Sequence, residues 1–206
     1  MTRDEYFEGL KALAREKRKY HAVRTDSFGL REIRQIYKAE GIRIDPWPLP
    51  PKIKAMYMCA DGDYSVAVQR ALPDEPKLFA LAHELKHHYV DQEHIANGVV
   101  HCGDYNRNEV IEVGAEVFAA EFIFPEHEFA ELVKASGVST WRPEDVVRLK
   151  RGTPAKISYM FVQKRLERLG VVERGAFGAV RFKKLEEQMF GVPFWKARAR
   201  RRPLGI

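Results

Sequence analysis

Residues His83-Glu84-Leu85-Lys86-His87 constrain this chain more than any other stretch. Two imidazoles four positions apart can reach one common point when the backbone between them is helical, because i and i+4 then lie on the same face. The flanks agree. Leu72-Pro73-Asp74-Glu75-Pro76 reads as a loop ending in an N-cap at Asp74, with Glu75 and Pro76 in the first turn. Leu78, Leu81, Ala82, Leu85 and Tyr89 then recur as one apolar stripe, ending at about Tyr89 or Val90. At about 100° per residue, His83 and His87 fall on the opposite side. The pattern predicts a helix that rests on a core with one face and offers two imidazoles to a cleft with the other.

H-E-x-x-H on a helix is the arrangement in which both histidines hold one metal ion and the glutamate beside them serves as a base. Two solvated histidines on a polar face are the plainer alternative. The spacing, Glu84 and the apolar back of the helix fit the metal reading better. A catalytic zinc site takes three protein ligands and keeps a fourth position for water, so a third ligand is needed. The next strong helical pattern, about Asn108 to Phe124, offers candidates. Ile111, Ala115, Phe118 and Phe122 form its apolar seam, and Glu112, Glu116, Ala119 and Ile123 an adjacent face, where small Ala119 suits a close helix contact. Carboxylates beside a core are costly unless paired or metal-bound. Glu109 and Glu121 read as surface residues; between Glu112 and Glu116 the physics does not choose.

The segment Lys77 to His87 resembles the "rFtlAHElgH" helix of the ImmA/IrrE family of metallopeptidases, and Glu112 to Pro125 resembles that family's "ExxANxFAAELLMP" helix. The two motifs occur in the same order and at a suitable separation. The resemblance implies that His83, His87 and Glu112 hold one Zn2+ per chain and that Glu84 is catalytic. It places Glu116 where the family has Asn, one turn after the ligand glutamate, where a side chain can accept a hydrogen bond from a ligand imidazole. Lys86 stands where the family has glycine; a long cation there changes what can pack above the helix, or simply extends to water. The implied fold is α+β and zincin-like: a small mixed β-sheet, the H-E-x-x-H helix, a second ligand-bearing helix and a C-terminal helical, helix-turn-helix-like part. The implied activity is that of a regulatory endopeptidase whose protein substrate is a DNA-binding, helix-turn-helix repressor of a phage or mobile element. Tyr105, His94 and His101 are candidates for the donor that stabilises the tetrahedral oxyanion. The competing class is a metal-containing transcription regulator, or a toxin–antitoxin-type interaction protein, without hydrolytic activity. Intact Glu84 speaks against it, because a structural site has no use for a base beside an open coordination position.

Bulk properties narrow the setting. A chain of 206 residues with 45% hydrophobic and 31% charged residues can bury a sizeable core. Met1 to His21 is a charged helical pattern without the apolar stretch of a signal peptide, and no apolar run approaches the ~18 residues that span a bilayer. Two cysteines, Cys59 and Cys102, make no disulfide framework. A cytoplasmic protein with no membrane partner is expected. His101-Cys102 lies between the two metal motifs, and a buried free thiol is preferred there to an alternative ligand pair.

The remaining elements are legible from period and punctuation. Residues 1–20 and 28–40 read as helices, the second closed by Gly41. Ile42 to Ile44 reads as a strand before a Pro-rich turn at Asp45 to Pro51. Ile53 to Cys59 and Tyr64 to Gln69 read as strands around Asp61-Gly62, a strong hairpin signal. By analogy with zincins, an edge of such a sheet aligns an extended substrate. Residues 1–136 are expected to form the peptidase domain, 137–192 a C-terminal helical region and 193–206 a basic tail. Residues 126–136 form a helix closed by Gly137. Pro143 to Lys150 and Pro154 to Leu169 form two more, joined by Arg151-Gly152-Thr153 and ended by Gly170. That outline, with Lys156, Gln163, Lys164, Arg165 and Arg168 on its second helix, admits nucleic-acid contact; a bundle with solvated charges is preferred. Lys196, Arg198, Arg200, Arg201 and Arg202 carry most of the net charge of +6. They suit nucleic acid or an acidic partner, or are simply solvated.

Overall fold

A three-stranded sheet begins where Gly41, at φ +71°, ends the second helix and turns the chain into a strand. The computed structural model describes residues 2–60, 62–96 and 105–192, with the backbone alone at residues 94, 96 and 105–108. These fall into two compact units, residues 1–129 with 154–158 and residues 130–153 with those from 159 onward.

The first unit holds α1 (Arg3–Tyr20), α2 (Leu30–Ala39), β1 (Ile42–Trp47), β2 (Ala55–Ala60), β3 (Asp63–Gln69), α3 (Asp74–Val90), the short α4 (Gln92–Ala96) and α5 (Tyr105–Ile123). Strand order is β1-β3-β2, with β3 parallel to β1 and antiparallel to β2. Val66 sits opposite both Ile44 and Tyr57. Residues Ser65 to Val68 are all buried, so the central strand is covered on both faces there. The expected hairpin is present, Ala60 pairing with Asp63, and Gly62 takes φ +82°. β1 runs on to Trp47, past the turn expected from Asp45. Pro46 is tolerated because an edge strand needs no second row of donors.

α3 lies against the sheet, α2 and α5, and α5 lies against α1. The expectation of a one-sided helix is therefore wrong in detail. Leu78, Leu81, Ala82 and Leu85 are buried, but so are Glu84, Lys86, His87 and His88. A helix enclosed on all sides buries its polar residues too, and each must then find a partner. Its N-cap is Pro73 rather than Asp74, and Asp74 and Glu75 supply negative charge to the first turn instead.

α1 and α5 pack closely because Gly114 has no Cβ: one built there would come within 2.8 Å of Leu10 Cδ1 and 2.9 Å of Tyr6 Cε1. Ala119, expected at a close helix contact, is also fully buried. Thr2 and Glu5 form a capping box that starts α1. At the far end, buried Arg18 donates to the carbonyls of Phe122 and Ile123, satisfying acceptors that the end of α5 leaves free. Glu109 is exposed and pairs with Arg3, as a surface residue does. Glu121 is not on the surface: it is buried, pairs with Arg15 at 2.9 Å and accepts the Glu126 amide.

α6 (Glu126–Ala135) starts in the first unit and ends in the second, where Gly137 takes φ +65°. The second unit continues with α7 (Pro143–Gly152), α8 (Tyr159–Arg168) and α9 (Phe182–Phe190). α8 begins later than the pattern from Pro154 suggests. Residues 153–158 are a non-helical connection in which Ala155 and Ile157 are buried, longer than the tight turn of a helix-turn-helix. α7 packs on α8 and on α9, with the Tyr159 and Phe182 rings stacked at 4.9 Å. Among the described residues no helix is long and apolar enough to cross a membrane. Cys59 carries a free thiol; Cys102 and the basic tail lie outside the described residues.

Candidate metal centre

α3 and α5 bring three side chains to one point. His83 and His87 project from successive turns of α3, their ring centroids 5.1 Å apart, and Glu112 faces them from the second turn of α5. His83 Nε2 lies 3.3 Å from Glu112 Oε2, and His87 Nε2 lies 3.7 Å from Glu112 Oε1. One ligand atom from each of the three lies within 4.8 Å of the others. Donors about 2.0–2.1 Å from a tetrahedral zinc sit about 3.3–3.4 Å from one another, so the spacing suits such an ion.

Two further observations favour a cation at this point. His87 Nε2 and Glu112 Oε1 are buried without a hydrogen-bond partner, which is costly unless something else satisfies them. The local field also favours positive charge. Burial alone would push the His83 pKa down, but the hydrogen bond with Glu112 and the charges of Glu84, Glu112 and Glu116 outweigh it and raise it. Burial likewise opposes ionisation of Glu112, yet His83, His87 and Lys86 hold its carboxyl below the usual carboxylate range. A set of donors that draws in a proton draws in a metal cation for the same reason.

Glu84 is buried beside His83 on α3. Glu116 is half-buried and acts on His83 through its charge. The bond to the far nitrogen of a candidate ligand imidazole involves a residue the sequence did not single out: Asp91 Oδ2 lies 2.6 Å from His87 Nδ1. Its spacing, four residues after His87 at the C-cap of the same helix, was the available signal. Lys86 does not reach water. It is fully buried and donates to the same Asp91 oxygen at 2.6 Å. Burial opposes ionisation of Asp91, but His87 and Lys86 together hold its pKa down. His88, also unforeseen, turns to the sheet. Tyr57 Oη and Gln92 Nε2 lie 3.0 and 3.1 Å from its Nδ1, anchoring α3 to β2 and α4. Of the oxyanion candidates, Tyr105 and His94 have their backbone in α5 and α4 while their side chains lie outside the described residues, as does all of His101.

The chain from α2 to α8 has a counterpart among known families. The family model Peptidase_M78, described as the IrrE N-terminal-like domain, matches residues 38–167, well over half of the sequence. No individual curated protein matches the chain significantly.

Proposed function

The chain belongs to the peptidase family of the IrrE N-terminal-like domain, and on that premise we propose that it is a zinc-dependent endopeptidase in which His83, His87 and Glu112 hold the metal. The observation that carries this reading is the convergence of a half-buried and a buried imidazole on a buried carboxylate, with Glu84 beside them on the same helix as the imidazoles. Bound there, zinc would supply Lewis acidity, lowering the pKa of a water at the open position towards neutrality and polarising the scissile carbonyl. Glu84 takes the proton of the attacking water and returns it to the leaving amine nitrogen, so the hydrolysis needs no other proton source. Burial keeps the Glu84 carboxylate away from bulk water and close to the ligand pair. Asp91 holds His87 with Nδ1 protonated, which directs its other nitrogen to Glu112 and His83. The tetrahedral oxyanion requires a donor, for which Tyr105, His94 and His101 remain the candidates.

The substrate class is the one the motif resemblance implies, a DNA-binding repressor of helix-turn-helix type from a phage or mobile element. The experiment is co-expression with a candidate helix-turn-helix repressor, the first choice being any that a neighbouring gene encodes. Glu84→Gln keeps the side-chain size and removes the base. It should retain zinc while cleavage falls by ~100-fold or more. Equal cleavage by wild type and Glu84→Gln, both metal-loaded, would refute the assignment of Glu84. Biological activity without cleavage in either protein would favour the metal-containing regulator.

A further inference from the structure

Lys86 stands where the resembling motif has glycine, and its ammonium is enclosed completely, at 0% exposure. A buried ammonium persists only with good partners, and both of its hydrogen-bond acceptors bear on the metal donors. Nζ donates to Asp91 Oδ2 at 2.6 Å, the same oxygen that meets His87 Nδ1 at 2.6 Å. It also lies 3.3 Å from the carbonyl oxygen of Ile111, the residue before Glu112. The Tyr6 ring of α1 lies 5.8 Å away, at the limit of a cation–π contact.

We propose that Lys86 is a positioning residue that assembles this donor set from the protein side: it pins the Asp91 carboxylate that orients His87, and it ties α3 to the turn of α5 that presents Glu112. The proposal rests on the metal reading above. Lys86 neutralises Asp91, so that carboxylate stays in one place as the acceptor for Nδ1–H. His87 is thereby kept in the tautomer that presents Nε2 to His83 and Glu112. The Ile111 contact fixes the backbone next to the third donor, across two helices that are separated in sequence. A lysine placed here also has an opposing effect, because its charge repels a metal cation. The two effects have opposite signs on metal affinity, which makes them separable.

The test uses the full chain as wild type, Lys86→Met, Asp91→Asn and the double variant. Zinc dissociation constants are measured by competition with a chelator, and the His87 tautomer by 15N NMR of the zinc-loaded protein. Lys86→Met should weaken zinc binding by ~10–100-fold, the range for losing a residue that orients a ligand, and Asp91→Asn by a similar factor. The double variant should be no weaker than the weaker single one, because both act through one carboxylate. The NMR spectrum should show His87 protonated at Nδ1 in wild type and a less uniform state in Lys86→Met. Zinc binding by Lys86→Met as tight as wild type, or tighter, overturns the proposal and leaves only charge repulsion. Should Lys86→Met not fold, the double variant, which neutralises both partners, is compared with Asp91→Asn; zinc binding weaker by a further ~10-fold or more in the double variant, the mark of two independent effects, overturns the proposal. A wild type that takes up no zinc overturns the metal reading itself. A wild type that binds zinc beside an equally competent Lys86→Met overturns the positioning role alone.

Discussion

Replacing glycine by alanine inside a helix ordinarily stabilises it by ~0.8–1 kcal/mol, through lower backbone entropy in the unfolded chain. This protein offers that substitution at two sites that differ in one respect. Gly9, exposed in α1, would place its new methyl in open space, with nothing within 4 Å. Gly114 in α5 would place it 2.8 Å from Leu10 Cδ1 and 2.9 Å from Tyr6 Cε1, where carbon atoms prefer ~3.5–4.0 Å. Leu10 is buried, and α1 is fastened to α5 by Arg15–Glu121 and by Arg18 on the last carbonyls, so the helices do not separate freely. Overpacking of this kind costs ~1–3 kcal/mol. The propensity gain is common to both variants and cancels in their difference. Gly9→Ala should therefore be more stable than wild type by ~0.8–1 kcal/mol, and Gly114→Ala less stable than Gly9→Ala by ~1–3 kcal/mol. Urea unfolding at constant m-value reads both. Equal stabilisation by the two substitutions would refute the close α1–α5 approach that sets the position of Glu112, two residues before Gly114.

Two other perturbations test separate parts of the account. Because the donors come from α3 and α5, chelation should lower the melting temperature. At a zinc concentration 1,000 times its dissociation constant the linkage is worth ~4 kcal/mol, or roughly 8–16 °C for a chain of about this length; an unchanged melting temperature in calorimetry would argue against a bridging metal. Glu40 supplies a pH test. Burial opposes its ionisation, but hydrogen bonds from Tyr89 and His21, at 2.8 Å each, and the charges of His21 and Lys17 lower its pKa. A lowered carboxyl pKa contributes stability above the unfolded value of ~4.3 that is lost as pH falls through the folded value. Glu40→Gln should thus be less stable than wild type at pH 7, and the gap should close below about pH 4; a gap of constant size down to pH 3 would contradict the shift.

The site was legible where local chemistry decides and illegible where tertiary enclosure does. His83, Glu84 and His87 announce themselves because i and i+4 on a helix need no knowledge of the rest of the molecule, and Gly41, Gly62, Gly137 and Gly170 mark chain reversals by their positive φ. Periodicity found the strongest apolar stripe of α3 but not that its other faces are also covered, since that depends on α5 and the sheet. Glu121 accordingly reads as a surface residue, and for Lys86 the pattern leaves water open beside altered packing, although both are buried with partners supplied from elsewhere. Asp91 was within reach of sequence reasoning, four residues beyond a ligand histidine. The late start of α8 was not, because Pro154 to Ser158 carries helix-compatible residues that stay outside the helix, with Ala155 and Ile157 buried. α9 lacked the long periodic run that made α3 and α5 stand out.

Metal content per chain is the measurement that reaches the central claim most directly. Protein purified without added metal and analysed by elemental mass spectrometry should carry about one zinc, as three protein ligands and one open position require. Glu112→Ala should lose most of it, while Glu116→Ala, which removes a nearby charge but no donor, should keep it at an affinity lowered by no more than ~10–100-fold. A Glu116→Ala protein that is empty beside a zinc-loaded Glu112→Ala would contradict the account.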